Sequence, residues 1–212
     1  MTYEVGSLIL RLTEILTDQE LTVTLRYLIV IFLNNQWYNE LGEKSRRIFR
    51  GSMAVLRIRT LPDPVLRQKA KRVAKLDDSV QKLIDDMIDT LHANSAVGLA
   101  APQIGVSLRI AVIEVPGEEV ITLINPLVIK RKGERVLGEA CLSVPGYHGE
   151  IKRSLIVKVK AQDRQGKEIR LKGEELLAQA LEHEIDHLNG TLYIDHIESP
   201  EKLFKVEPVQ EM

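Results

Sequence analysis

The clearest periodic pattern lies just after Asp77, where apolar residues recur at intervals of three and four. This spacing places them on one face of an α-helix, which has about 3.6 residues per turn. Asp77, Asp78 and Ser79 offer side-chain oxygens that can cap the first turn. We therefore predict a core helix that buries one face, made of Val80, Leu83, Ile84, Met87, Ile88 and Leu91.

A second helix is predicted from about residue 174 to residue 189, followed by Gly190 at the position where helices commonly end. Its apolar positions are numerous enough to predict a mostly buried helix: Leu177, Ala180, Leu181, Ile185 and Leu188. Any polar side chain on the same helix therefore has to find a partner in the interior.

Strands are predicted at 109–115, 120–124 and 155–160. In the last of these, Val157 and Val159 share one face and Lys158 lies on the other, as expected for a half-buried strand. Residues 163–166 form a predicted hairpin turn that leads into a strand at 168–171. Strands grouped around two long helices indicate an α+β fold, not a parallel βαβ series.

Residues 1–52 differ from the remainder of the chain. They hold six of the nine aromatic residues and none of the eight prolines, so a boundary is predicted near residues 51–53.

Within residues 1–52, the stripe Leu8, Leu12, Ile15 and Leu16 predicts a helix. The run at 21–33 includes Arg26 and is short for a membrane span of about 20 residues. We interpret it first as a packed or partner-binding helix and second as a membrane contact. It has no basic start or small-residue cleavage site, so a signal peptide is not predicted. A third interpretation makes Met53 the natural start.

Composition and charge exclude several classes of protein. The single cysteine, Cys141, allows no internal disulfide and rules out a Cys-rich zinc finger or an iron–sulfur ferredoxin. A net charge of -1 gives no overall reason to expect nucleic-acid binding. The hydrophobic content of 44% is sufficient for a core.

The strongest chemical signal is His183-Glu184-Ile185-Asp186-His187 on the second helix. Histidines at i and i+4 project from one helix face, so their imidazoles can bind one cation while the intervening glutamate acts on a water. Two histidines leave a transition metal short of ligands. His196 and Glu198 lie downstream but without a matching motif. Upstream, the thiolate of Cys141 is a strong soft ligand, and with two histidines it leaves a fourth position for water.

Two further interpretations stay open on the residues alone. Cys141 can be an inert buried residue or a nucleophile, although no other signature supports a nucleophile. The segment 98–105 is rich in small residues that allow close backbone approach, and Gln103 within it can donate an amide N–H to a developing oxyanion. By itself this segment is predicted to be a loop between a helix and a strand.

Together, three segments resemble the motifs of the peptide deformylase family, which run approximately GxGLAAxQ, EGCLS and QHExDH. Here they are AVGLAAPQ at 96–103, EACLS at 139–143 and EHEIDH at 182–187. The resemblance covers residues 53–204, including the Leu61-Pro62-Asp63-Pro64 turn, and leaves out 1–52. It implies a central metal-binding helix among antiparallel sheets. We therefore expect a helical N-terminal extension at 1–52 and a catalytic deformylase domain at 53–212.

The resemblance also implies a role for each site residue. Cys141, His183 and His187 bind the metal, and Glu184 relays the proton. Gln103 and the backbone N–H of Leu142 stabilise the oxyanion. The expected substrate pocket comprises Val97, Gly98, Leu137, Glu139, His148, Leu176 and Ala180.

The implied reaction removes the formyl group from the N-terminal methionine of nascent chains, with release of formate. The resemblance implies Fe²⁺ in the cell, with Zn²⁺ or Ni²⁺ as substitutes, whereas the ligand set alone indicates zinc. It also implies formylmethionyl substrates, transient contact with the ribosome and a cytoplasmic location, and no basic docking patch is evident. The alternatives are a zincin-type protease and a non-catalytic, metal-bound homologue that binds peptides or the ribosome.

Four residues depart from the family pattern. Ala96 and Ala140 replace glycines, and Glu182 replaces a glutamine before the first histidine. His148 stands where many members have an arginine that holds the peptide backbone. An added methyl group at Ala96 or Ala140 is harmless only if the local backbone has a negative φ.

Overall fold

The computed structural model describes residues 54–206. Within this range the α-helices are α1 (Asp78–Ala93) and α2 (Glu175–Asn189). The strands are β1 (Gly98–Ala100), β2 (Ile110–Ile113), β3 (Ile121–Lys132), β4 (Arg135–Ala140), β5 (Tyr147–Arg153), β6 (Ile156–Gln162), β7 (Glu168–Glu174) and β8 (Leu203–Lys205).

The strands form two sheets in which every pair of neighbours is antiparallel. The larger sheet has the order β1-β2-β3-β6-β7, and the smaller sheet has the order β4-β5-β8. Helix α2 contacts strands of both sheets. The expected α+β fold with a central helix among antiparallel sheets is therefore confirmed.

Helix α1 forms as its pattern predicts. The carboxylate of Asp77 accepts hydrogen bonds from the backbone N–H groups of Ser79 and Val80, which satisfies two free donors of the first turn. The apolar face of α1 is buried with Ile110, Val112 and Ile124 of the larger sheet. This helix therefore covers one face of β1 and β2.

Helix α2 packs on the opposite face of the same sheet. Ala178, Leu181 and Ile185 share a cluster with Val157 and Val159 of β6. The contact is close enough that a Cβ atom built on Gly173 of β7 would lie 2.6 Å from the Leu181 side chain and 3.0 Å from the Ala178 backbone nitrogen. The small residue at 173 therefore sets the distance between helix and sheet.

The C-terminal end of α2 is defined by short-range chemistry. Gly190 has φ +78°, and its N–H bonds back to the helix, as in a glycine C-cap. A Cβ atom at this position would lie 2.8 Å from the Arg67 backbone, so the helix end also needs glycine for space. The predicted helix is thus confirmed to within one residue at its start.

The strand predictions are confirmed in place, but 109–115 was predicted longer than β2, and the other three were predicted shorter than β3, β6 and β7. Val157 and Val159 are fully buried while Lys158 is exposed, as the alternation predicts. The turn at 163–166 closes with the Gly166 N–H donating to the Asp163 carbonyl over 2.9 Å. Strand β3 extends eight residues past its predicted end at 124, with register shifts on the way.

One prediction was wrong, and three strands were not predicted. Residues 98–104 are not a simple loop, because Gly98–Ala100 pairs with β2 and Ala101–Ile104 forms a 3₁₀ turn. In β4, β5 and β8 at least one face mixes polar with apolar residues, so their period-2 pattern is weak.

The expectations for residues 1–52, including the helical extension and the membrane contact at 21–33, lie outside the described residues. Among residues 54–206, no helix has both the length and the apolar character to span a membrane.

The contact between Gly173 and α2 predicts a stability effect. Gly173→Ala should lower the free energy of unfolding by about 1–3 kcal/mol, because the new methyl group meets the helix backbone. Gly138→Ala is the matched control, since a Cβ atom there has nothing within 4 Å and should change stability by less than about 0.5 kcal/mol. Urea denaturation of the metal-loaded proteins measures both. Equal stabilities of the two variants would contradict the proposed packing constraint.

Candidate metal centre

Helix α2 presents two histidines and a glutamate toward the protein interior. His187 is 1% exposed and Glu184 is 2% exposed, although both are polar. The Nε2 atoms of His183 and His187 lie 3.2 Å apart, as one helical turn allows. Two imidazole nitrogens held this close fit either an N–H···N hydrogen bond or a cation shared by both lone pairs.

Cys141 supplies the third donor atom from the loop after β4. Its Sγ lies 3.2 Å from His187 Nε2, and the ligand atoms of Cys141, His183 and His187 all lie within 4.8 Å of one another. Tetrahedral coordination with metal–nitrogen and metal–sulfur distances of ~2.0 and ~2.3 Å places ligand atoms ~3.3–3.6 Å apart. The two 3.2 Å separations are close to this spacing, so the residues fit a divalent metal.

The proton of His183 is placed by Glu139. His183 Nδ1 lies 2.5 Å from Glu139 Oε1, and an ionised carboxylate can only accept, so Nδ1 carries the proton. This leaves the Nε2 lone pair facing the centre. A carboxylate that orients a metal-binding histidine in this way is a common feature of such sites.

Glu139 stays ionised because of its charged neighbours. Burial alone would raise the pKa of Glu139, but His183 and Arg153 lower it to about 2. Arg153 donates from Nε and Nη2 to the two carboxylate oxygens over 3.0 and 2.7 Å. The same guanidinium donates from Nη1 to Asp186 over 2.6 Å, and Asp186 in turn bonds to His196.

The electrostatics favour positive charge between the two imidazoles. Burial disfavours a charged His183, but Glu139 and Cys141 more than offset this and raise its pKa. Burial and the neighbouring His183 lower the pKa of His187 well below its usual range. One positive charge is therefore stabilised at the centre, and a metal ion can supply it.

Glu184 is buried beside the donor atoms without a hydrogen bond to its Oε2 from any residue in 54–206. Burial raises the pKa of this carboxyl to about 7, which is the range expected of a group that takes up and returns a proton near neutral pH. The carboxylate lies against Gly98 of β1, where a Cβ atom would be 2.3 Å from Oε1. The strand therefore leaves room for Glu184 only because residue 98 has no side chain.

Gln103 lies at the same centre and is 1% exposed. Its Oε1 accepts from the Ala100 N–H over 2.8 Å, which fixes the amide so that Nε2 faces Cys141 Sγ at 3.6 Å and Ser143 Oγ at 3.4 Å. Leu142 follows Cys141 directly and is half-buried. The structure thus brings Gln103 to the three donor atoms from a separate segment.

The other predicted site residues are spread over different parts of the core. Val97 and Ala180 belong to the cluster beneath α2, whereas Leu137 packs with the cluster around Cys141. Leu176 is half-buried at the start of α2. His148 of β5 stacks on Phe204 of β8, with ring centroids 5.1 Å apart.

The departures from the family pattern have local explanations. Neither Ala96 nor Ala140 is among the described non-glycine residues with positive φ, so their methyl groups cause no backbone strain. Glu182 accepts from the Ser154 N–H over 2.8 Å and from Arg131 over 2.6 Å. The negative charge of Glu182 is therefore paired with Arg131 and not with the candidate metal ligands.

Arg153 and Asp186 are functional neighbours that sequence reasoning missed. Asp186 lies inside the helix motif, but its partner cannot be read from spacing because Arg153 is 33 residues away. The two downstream residues that could have completed the metal site also have other partners. His196 bonds to Asp186, and Glu198 pairs with Lys152 and Lys202.

Known proteins share both the sequence and the fold. The family model for polypeptide deformylase matches residues 55–203. A peptide deformylase of Dehalococcoides mccartyi is 53% identical over 161 residues, which is 76% of this chain and 96% of that protein. One from Alkaliphilus metalliredigens is 53% identical over 145 residues, 68% of this chain and 98% of its own length. A peptide deformylase structure from Legionella pneumophila has a TM-score of 0.68 at 49% identity, covering 70% of this chain and 89% of that chain. The chain belongs to the polypeptide deformylase family.

Proposed function

We propose that Cys141, His183 and His187 bind one divalent metal ion and that Glu184 moves the proton in the family's reaction. The chain removes the N-formyl group from the N-terminal formylmethionine of nascent polypeptides. The observation that carries the assignment of roles is the convergence of one sulfur and two imidazole nitrogens beside a buried carboxylate.

A divalent ion held by Cys141, His183 and His187 would supply Lewis acidity, which would lower the pKa of water toward about 7. The resemblance to the family supports Fe²⁺ as the ion bound in the cell, and one thiolate with two imidazoles can also hold Zn²⁺ or Ni²⁺ as substitutes. A reduced thiolate at Cys141 and a substrate that is a nascent chain both support a cytoplasmic location.

Glu184 accepts the proton of the attacking water and returns it to the departing amine. Its burial supports both steps, since a carboxyl with a pKa of about 7 is present in both protonation states near neutral pH. The free Oε2 supports the same role, because the atom that must take the proton is not occupied by another donor.

Gln103 and the Leu142 backbone N–H donate to the oxyanion that forms at the formyl carbon. The fixed orientation of Gln103 supports this role, because a donor held in place by the Ala100 N–H need not reorganise during the reaction. From the resemblance, we assign the methionine pocket to Val97, Gly98, Leu137, Glu139, His148, Leu176 and Ala180. Glu139 contributes by orienting His183.

Residues 53–212 are proposed as the catalytic domain and 1–52 as an extension, which agrees with a family match that begins at residue 55. Transient association with the ribosome follows from the nascent-chain substrate. A zincin-type protease is disfavoured because the third donor is Cys141, while His196 and Glu198 have other partners. A non-catalytic homologue is disfavoured because Gln103 and Glu184 are both in place.

The role of Glu184 is tested by Glu184→Gln. Formate release from formyl-Met-Ala-Ser should fall by about 10²–10⁴-fold or more, because the amide cannot accept the water proton. The metal content of anaerobically purified protein should stay near one ion per chain, since Glu184 is not a ligand. Near-normal turnover would remove Glu184 from the proton pathway, and cleavage of an unformylated protein substrate by the parent chain would favour the protease.

The role of Cys141 is tested by Cys141→Ser. An alcohol is a poor replacement for a soft thiolate, so metal affinity should fall by about 100-fold or more, beyond the 10–100-fold typical of outer-shell losses. Competition with a chelator measures the affinity directly. Glu184→Gln is the matched control and should retain the metal. An unchanged affinity in Cys141→Ser would remove Cys141 from the ligand set.

The contact between Gly98 and Glu184 predicts that Gly98→Ala displaces the carboxylate. The value of kcat/KM should fall by at least about tenfold, because small misplacements of a catalytic group are costly. Metal content should not change. If Gly98→Ala acts by displacing Glu184, then adding Gly98→Ala to the Glu184→Gln variant should cause little further loss of kcat/KM. Fully additive losses would show instead that the methyl group blocks substrate.

A further inference from the structure

The larger sheet carries a concentration of positive charge on its open face. Helix α1 covers this face at β1 and β2, but among residues 54–206 no helix covers it along the later part of β3 or along β6 and β7. We define the basic face as the six cationic residues that project there: Lys130, Lys132, Lys158, Lys160, Arg170 and Lys172. Glu168 and Glu174 are the acidic residues on the same part of the sheet, which leaves a clear excess of positive charge.

The strand register places like charges directly opposite one another. Lys158 of β6 pairs with Lys130 of β3 on one side and with Lys172 of β7 on the other. Lys160 pairs with Arg170 in the next row. Neighbouring strands are about 4.8 Å apart, well within the ~8 Å screening distance at physiological salt, so these pairs repel.

The available carboxylates neutralise only one edge of the basic face. Glu168 lies 2.7 Å from Lys160 and 3.4 Å from Arg170, and Glu174 pairs with Lys172. Within residues 54–206, no carboxylate lies within salt-bridge distance of Lys130, Lys132 or Lys158. The unneutralised charge is therefore concentrated on β3 and the centre of β6.

We propose that the basic face binds the phosphate backbone of RNA. Phosphates lying along the rows of lysines would relieve the repulsion between strands and release counterions, which is the main source of sequence-independent affinity for nucleic acids. This part of the sheet has no outward aromatic residue on which a base could stack, so the contact is to the backbone and not to the bases.

An anionic membrane is the less suitable partner. Membrane-surface binding combines positive charge with a substantial inserted apolar surface. Along β3, β6 and β7 the exposed large apolar side chains are Leu127 and Ile129, and Ile156, opposite Lys132, is half-buried. A surface of this composition fits the ridges of phosphates on a structured RNA better than the hydrocarbon boundary of a bilayer.

The location of the basic face allows RNA binding and catalysis at the same time. Helix α2 and its metal ligands pack against the opposite face of the sheet, around Val157 and Val159. A bound RNA would therefore not cover the donor atoms. The proposal names a surface for the proposed association with the ribosome, and its biological context rests on that association. The argument from charge is independent of the hydrolytic activity.

The test uses the full metal-loaded chain and a fluorescent RNA duplex of mixed sequence, about 20 base pairs long, in fluorescence anisotropy. The variant is Lys130→Gln/Lys158→Gln/Lys172→Gln. The matched control is Arg57→Gln/Lys69→Gln/Lys71→Gln, which removes the same charge from exposed positions outside the sheet. Titration between about 50 and 200 mM salt gives the slope of log affinity against log salt.

The parent chain should bind with a steep salt dependence, and the basic-face variant should bind at least about tenfold more weakly with a slope lower by about 2–3. The control should stay within about twofold of the parent. Equal loss in both variants, or no binding by the parent chain, would overturn the proposal. Tighter binding to vesicles of phosphatidylcholine and phosphatidylglycerol than to RNA would overturn it in favour of a membrane. Formate release from formyl-Met-Ala-Ser should be unchanged in both variants, which separates this test from that of the catalytic roles.

Discussion

The buried ion pair between Arg153 and Glu139 is the interaction on which the candidate metal centre depends. Both side chains are almost completely excluded from solvent, at 4% and 3% exposure, so neither charge could persist without the other. The paired carboxylate then holds the Nδ1 proton of His183, which directs the Nε2 lone pair at the other two donors. Arg153 of β5 also donates a hydrogen bond to Asp186 of α2, so its guanidinium connects β5 to both β4 and the helix.

This dependence explains which parts of the site could be predicted from the sequence. The His183–His187 spacing is a local property of one helix, and Cys141 and Gln103 lie in recognisable segments. The Arg153 interactions join residues that are 14 and 33 positions apart, and no periodicity connects them. The strands that carry Glu139 and Arg153 were also missed, because polar residues serving the centre interrupt their apolar alternation.

The larger sheet shows the same division between local and long-range information. Alternation along β6 predicts that Val157 is buried and Lys158 exposed, and it does so correctly. It does not predict that Lys130 and Lys172 lie on either side of Lys158, because that depends on strand order and on the register shift in β3. A net charge of -1 for the whole chain thus conceals a strongly positive surface. The functional meaning of the charge comes from its arrangement and not from its sum.

Burial serves two different purposes in the centre. At Glu139 the buried charge is fully paired, which fixes the geometry of a ligand. At Glu184 the buried carboxylate keeps an oxygen without a partner, and its pKa rises to about 7 as a result of that burial. An unsatisfied group of this kind costs roughly 1–3 kcal/mol of stability. The surrounding fold maintains it through Gly98, whose missing side chain leaves the space that the carboxylate occupies. A hydrogen-bond donor placed there would stabilise the fold, but it would also lower the affinity of Glu184 for the proton that it carries in the proposed reaction.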